Sequence, residues 1–219
     1  SLKAEGCWNN DWDLSLELIK RRNKTSIKKV EIPTRKKLIR IFNNFYFGLE
    51  VESEDKNYNG LIKNEKILID PHFFQKLIDL HISFGFVSGA ERPSINFLFK
   101  RIGLIDPPLI AMGEAPEKPN PTGLILLSQK LATNPLGSLG QTIAYVGDTA
   151  ADVLTVKNAK EKIPTQKFIS IGIAPPHLQV KSQESARLEY ETSLKNVGAD
   201  YILKNINHVI DLVPTLFSI

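Results

Sequence analysis

The chain has 219 residues, 42% of them hydrophobic, a formal net charge of +4 and a single cysteine. That length can bury a full core, with room for one sizeable domain and a smaller insert. One thiol, Cys7, excludes an internal disulfide framework and, with only four histidines, argues against a zinc site; it fits a reducing, cytoplasmic compartment.

No apolar run approaches the ~18 residues that would suggest a membrane span. The opening SLKAEGCWNN lacks the charged-then-apolar order of a secretory signal, and no membrane partner is expected. Residues 11–22 carry apolar side chains at 14, 16, 18 and 19, and Asp11 or Asp13 can cap the amphipathic helix they predict. Basic residues crowd into KRRNKTSIKK (20–29) and TRKK (34–37). The nearest aromatics, Phe42, Phe45, Tyr46 and Phe47, follow at helical spacing as core residues would. This argues against a nucleic-acid partner and leaves a solvated surface or attraction of an anionic substrate. A second helix is expected over 34–47, opened by Thr34 after Pro33, and ESEDKNYNG (52–60) reads as a loop.

Strands enter after residue 70. A helix over 70–83 has Asp70 as cap and Pro71 at its first position. Then come a strand at 84–88, a helix at 91–102 ending at Gly103, and a strand at 108–113. A helix at 121–132, a strand at 142–147, a helix from about 149 to 160 and a strand at 167–173 follow. A long helix over 181–197, a strand at 199–204 and a last helix over INHVIDLVPTLF complete the alternation. The strands are short continuous apolar runs, as in sheets covered on both faces. The expectation is an α/β fold, an open parallel Rossmann-like sheet over 68–219, with a small helical unit over 1–67.

In such sheets ligands sit beyond the carboxyl ends of the strands, so the polar residues there matter most. Strand 142–147 ends in VGDTAAD, where Gly147 lets the chain turn. Asp148 and Asp152, four apart, suit a hard cation such as Mg²⁺, or else cap the helix and complement its dipole. Strand 84–88 ends at Ser88, a hydroxyl donor, and Gly89 permits close approach of an anion, though an ordinary helix cap has the same spelling. Lys118 lies between prolines before a helix, where it can neutralise phosphate or simply be solvated. Arg92 could grip a second anionic group or be a surface arginine, and His177 follows strand 167–173 in a loop.

The order Ser88, Lys118, Asp148 and Asp152 resembles the haloacid dehalogenase-like (HAD) hydrolase superfamily. FGFVSGAERPSINFLFKRIGL is similar to its second motif, EAPEKPNPTGL to its third and YVGDTAADV to its fourth. The unit before residue 67 resembles the helical cap of subfamily IA, and GCWNNDWDLSLELI, GLIKNEKILID and IGIAPPHLQ resemble a small branch of it. The resemblance implies a Mg²⁺-dependent phosphatase acting on a small phosphorylated metabolite through an aspartyl-phosphate. It implies that Ser88 and Lys118 hold the transferring group, that Asp148 ligates the metal, and that Asp152 is a ligand or the organiser of the lysine. The alternative is a catalytically inactive phosphate-binding or regulatory module. No oligomeric state follows from the sequence.

Asp11-Trp12-Asp13 imitates the family's nucleophile motif, but the preceding AEGCWNN is no apolar strand. Both aspartates are therefore read as helix-cap and cap-unit residues. No strand ending in Asp-x-Asp-x-Thr/Val is present, and the chain does not begin with methionine. The expectation is that the first, central strand and its helix, roughly 40 residues by the family pattern, are missing from the N-terminus. The strands ending at Ser88 and Gly147 should then flank an open slot, and the chain alone should be a poor catalyst.

Overall fold

The computed structural model describes residues 11–48 and 58–217. Cys7 and residues 52–57 of the expected loop lie outside them. The chain divides into two compact units, Ser1–Ile67 and Leu68–Ile219.

The first unit pairs α1 (Asp11–Thr25) with α2 (Arg35–Tyr46). Thr34 caps α2, its side chain accepting from the Lys37 amide at 3.2 Å. The aromatic spacing read from the sequence becomes a chain of ring contacts, Trp12 to Phe42, Phe42 to Tyr46, and Tyr46 to Phe47. Gly48, in the left-handed region at φ 80°, lets the chain return. The Gly60 amide then donates to the Phe47 carbonyl at 3.0 Å. A Cβ on Gly48 would lie 2.4 Å from the Gly60 nitrogen, so only glycine fits. Asp13 lies within α1 and pairs with Arg35 at 3.5 Å, as a helix residue and not at a strand end.

The second unit alternates strand and helix. It runs α3 (Phe73–Asp79), β1 (Phe86–Val87), α4 (Arg92–Arg101), β2 (Leu109–Ile110), α5 (Thr122–Leu131), β3 (Ile143–Gly147) and α6 (Ala150–Lys162). It continues with β4 (Phe168–Ile173), α7 (Glu184–Val197), β5 (Tyr201–Leu203) and α8 (Val209–Phe217). The helix expected from residue 70 begins at Phe73. The Asp70 carboxylate accepts from the His72 amide and the Asp70 carbonyl from the Phe73 amide, so Asp-Pro-His forms a turn ahead of it.

All strand pairing is parallel, but the sheet is divided. β1 pairs with β2, and β3–β4–β5 form a second sheet in that order. No ladder joins β1 to β3 among the described residues. β4, paired on both edges, is buried from Phe168 to Gly172, whereas every residue of β3 is half-buried. Val156 and Ala159 of α6 pack with Leu124 of α5 and Phe168 of β4 into one core cluster. Val153, also of α6, packs with Leu194 of α7 in another.

The backbone directions show what the division leaves open. The Phe86 and Ser88 amides donate to Pro108 and Ile110, toward β2. In a parallel strand alternate residues bond to opposite sides, so Val87 turns its backbone groups the other way, toward β3. On β3, the Ile143 amide donates to Lys167 on the β4 side, which turns Ala144 and Val146 toward β1. The backbone groups of Val87, Ala144 and Val146 therefore face away from their own ladders, and Tyr145 of β3 reaches the Val87 carbonyl at 3.4 Å.

Candidate functional site

The carboxyl end of β3 is organised around Asp152. Thr149 caps α6 in a reciprocal box with Asp152, the hydroxyl oxygen accepting from the Asp152 amide at 3.2 Å. Asp152 Oδ2 accepts from the Thr149 amide at 3.0 Å and its hydroxyl at 2.6 Å. Oδ1 accepts from Lys118 Nζ at 2.6 Å and the Tyr145 hydroxyl at 3.2 Å. Four donors thus meet the four lone-pair directions of a carboxylate that is only 4% exposed. Asp148 is not the cap: it stands exposed before the helix, its backbone carbonyl accepting from the Tyr190 hydroxyl at 2.7 Å.

Gly147 has a different purpose from the turn expected of it. A Cβ there would lie 2.3 Å from the Asp152 Cβ and 2.4 Å from its Cγ. Glycine is required so that the Asp152 side chain can fold back over the end of β3.

Lys118 reaches Asp152 from the loop between β2 and α5. Asn158 of α6 steadies that loop, its side-chain amide donating to the Pro119 carbonyl at 2.9 Å. Tyr145, pointing from β3 toward the same place, lies 3.5 Å from Lys118 Nζ and 3.4 Å from the Val87 carbonyl. Burial pushes the Tyr145 phenol well above the usual tyrosine range, and the negative charges of Asp152 and then Asp148 add to it. The group is therefore a neutral donor throughout the physiological range.

At the end of β1 the Ser88 side-chain oxygen accepts from the Ala90 amide at 3.1 Å, and the space where a Gly89 Cβ would sit is clear of other atoms to 4 Å. Arg92 is engaged by Glu114: Nε and Nη2 each donate to one carboxylate oxygen at 2.6 Å. The Ala111 amide donates to Glu114 Oε2 at 3.0 Å. The hydrogen bonds from Arg92, then from Ala111, hold the Glu114 carboxyl below the ordinary glutamate range. The fork expected to grip substrate thus ties α4 to the loop after β2. His177 is exposed in a short 3₁₀ turn after β4.

The structure therefore joins Lys118 directly to Asp152 and, through Tyr145, to Val87 beside Ser88. Of the expected Mg²⁺ pair, Asp148 presents an exposed side chain, while the Asp152 oxygens are taken by protein donors. A magnesium ion wants near-octahedral oxygen ligation with lone pairs to give, and those of Asp152 are already directed at four donors. No group of three or more metal-binding side chains placed to hold an ion occurs among the described residues. Asp152 has instead the geometry of the lysine's organiser.

Four participants escaped the sequence reading. Tyr145 read as strand core, and Thr149 was overlooked as a cap beside the more conspicuous Asp148. The T-x-x-D spacing of Thr149 and Asp152 is a close variant of the capping-box signature and could have revealed it. Glu114 lies in the stretch read for Lys118 without being singled out, and Tyr190 carries no motif; the chain's return brings both to the site.

No family model matches the sequence, and comparison with curated proteins finds no match. Among solved structures, the chain is similar to a phosphonoacetaldehyde hydrolase-like protein from Oleispira antarctica, at 19% identity and a TM-score of 0.53 over 71% of this chain. It spans 58% of that protein's length. A haloacid dehalogenase-like hydrolase from Bacteroides fragilis aligns over 89% of each chain at 15% identity, but its TM-score of 0.48 carries no argument. Parallel β/α order and this structural likeness together give the chain an α/β, Rossmann-like fold of the kind seen in the Oleispira protein.

Proposed function

We propose that this chain is the larger part of a phosphoric monoester hydrolase acting on a small phosphorylated metabolite, completed by a strand in the gap between β1 and β3. The observation that carries the reading is the Lys118–Asp152 pair at the mouth of that gap. A lysine fixed by a buried carboxylate, 2.6 Å away, is a preorganised cation rather than a solvated one. The Ser88 hydroxyl and the open Gly89 backbone supply neutral donors at the neighbouring strand end. Together they suit a phosphoryl group whose charge is spread over several oxygens.

In this reading a carboxylate at the tip of the completing strand attacks phosphorus. The ester P–O bond breaks and the alcohol leaves with a proton from a second carboxylic acid two residues later. Water then attacks phosphorus and gives a proton to that second carboxylate; the aspartyl P–O bond breaks, releasing phosphate and restoring the nucleophile carboxylate and the acid. Lys118 and Ser88 hold the non-bridging oxygens in both steps, and Asp152 keeps the ammonium aimed. Asp148, exposed beside them, keeps the site polar; no step is assigned to a metal held by Asp148 and Asp152.

The test is hydrolysis of para-nitrophenyl phosphate by the protein extended through its upstream reading frame, beside residues 1–219 alone. Activity only in the extended protein, lost in Lys118→Ala, supports the reading. Retained phosphate binding by a well-folded extended protein without hydrolysis would point to a phosphate-binding regulatory module instead.

A further inference from the structure

We propose that Tyr145 is a positioning residue for Lys118, acting through the shared oxygen of Asp152 and tying that oxygen to the end of β1. The inference rests on the phosphatase reading for its chemistry but on independent contacts for its geometry.

Thr149 fixes one oxygen of Asp152 twice over, which sets the plane of the carboxylate. The other oxygen is shared by Lys118 and Tyr145. A lysine has a long flexible stem and three rotatable donors, so one carboxylate oxygen alone sets its distance but not its direction. The Tyr145 oxygen, 3.5 Å from Nζ, is a second acceptor that selects one of those directions. The ring is rigid, and its position is set by β3 and by packing in the α5–α6 core cluster. Its hydroxyl proton has two acceptors in reach, Asp152 Oδ1 at 3.2 Å and the Val87 carbonyl at 3.4 Å. With the one proton directed to the nearer, Asp152 Oδ1, the hydroxyl oxygen stands 3.4 Å from the Val87 carbonyl, so the ring holds the ammonium near the end of β1 as well as that of β3.

Tyr145→Phe removes the hydroxyl and keeps the ring. In the extended protein the expected result is a fall in kcat of about tenfold, the low end of what loss of an outer-shell partner costs, with KM changed less than twofold. A purely structural hydroxyl would lower the melting temperature and leave both kcat and KM in place, which overturns the proposal. Where the extended protein shows no hydrolysis, the phosphatase reading fails and the nitrogen NMR signal of the Lys118 ammonium decides this one. Slow exchange with solvent that is lost in Tyr145→Phe supports positioning, and an unchanged signal refutes it.

Discussion

The two sheets of the second unit solve the same problem with unequal means. The three-stranded side has a central strand buried over five successive residues and a strand end locked by a capping box, a buried carboxylate and a lysine. The two-stranded side has two residues in each strand and is tied at its end by Arg92 and Glu114, both reachable by water. The difference teaches where rigidity resides. A buried carboxylate with four donors allows one arrangement, whereas an exposed ion pair tolerates several.

The sharpest way to break that contrast is at Asp152. Asp152→Ala should remove about 3–5 kcal/mol of stability, because it strands the partly buried Lys118 and opens the cap of α6. Urea unfolding measures this, and a loss under 1 kcal/mol would show that the rigid side is no more rigid than the other. Gly147→Ala comes next: its methyl group must displace the Asp152 side chain, at about 1–3 kcal/mol. Lys118 should lose its slow-exchanging NMR signal in the same variant. Thr149→Ala should cost about 1 kcal/mol through the cap alone.

The smallest effect belongs to the two-stranded side. Glu114→Gln should shift the melt slightly at neutral pH. The Glu114 carboxyl is depressed in the folded protein, so its contribution is present above the ordinary glutamate range and lost as pH falls through the folded value. Parent and variant melts should therefore converge in acid. A difference that persists there would assign the effect to shape rather than charge.

The same contrast explains what was legible. Element order, the parallel alternation and the strand ends at Ser88 and Gly147 are written in local apolar runs and in glycine and proline punctuation, and these can be read one segment at a time. Lys118 and Asp152 stood out because charged residues at strand ends are conspicuous. Tyr145 did not, because a tyrosine inside an apolar strand looks the same whether its hydroxyl meets water or a buried aspartate. Nor could the sequence show that Arg92 closes on Glu114, since that pair depends on how the chain returns after β2. The engagement of Asp152 by protein donors was hidden for a related reason. Four-residue spacing places two carboxylates near one turn, but it does not say that Thr149, Tyr145 and Lys118 have claimed one of them.

The gap between β1 and β3 has a consequence at the level of concentration. Among the described residues no ladder engages Ala144 and Val146 on the side away from β4, and across from them the Val87 carbonyl is met by the Tyr145 hydroxyl at 3.4 Å. Such edges are templates that do not distinguish a strand of their own chain from a strand of a neighbour. At low concentration water occupies them. As concentration rises, strands from other copies compete for the same backbone groups, and association should grow with the square or a higher power of protein present. A strand of the same chain in the proposed position would then guard against clumping, because a tethered segment outcompetes free chains through its high effective concentration.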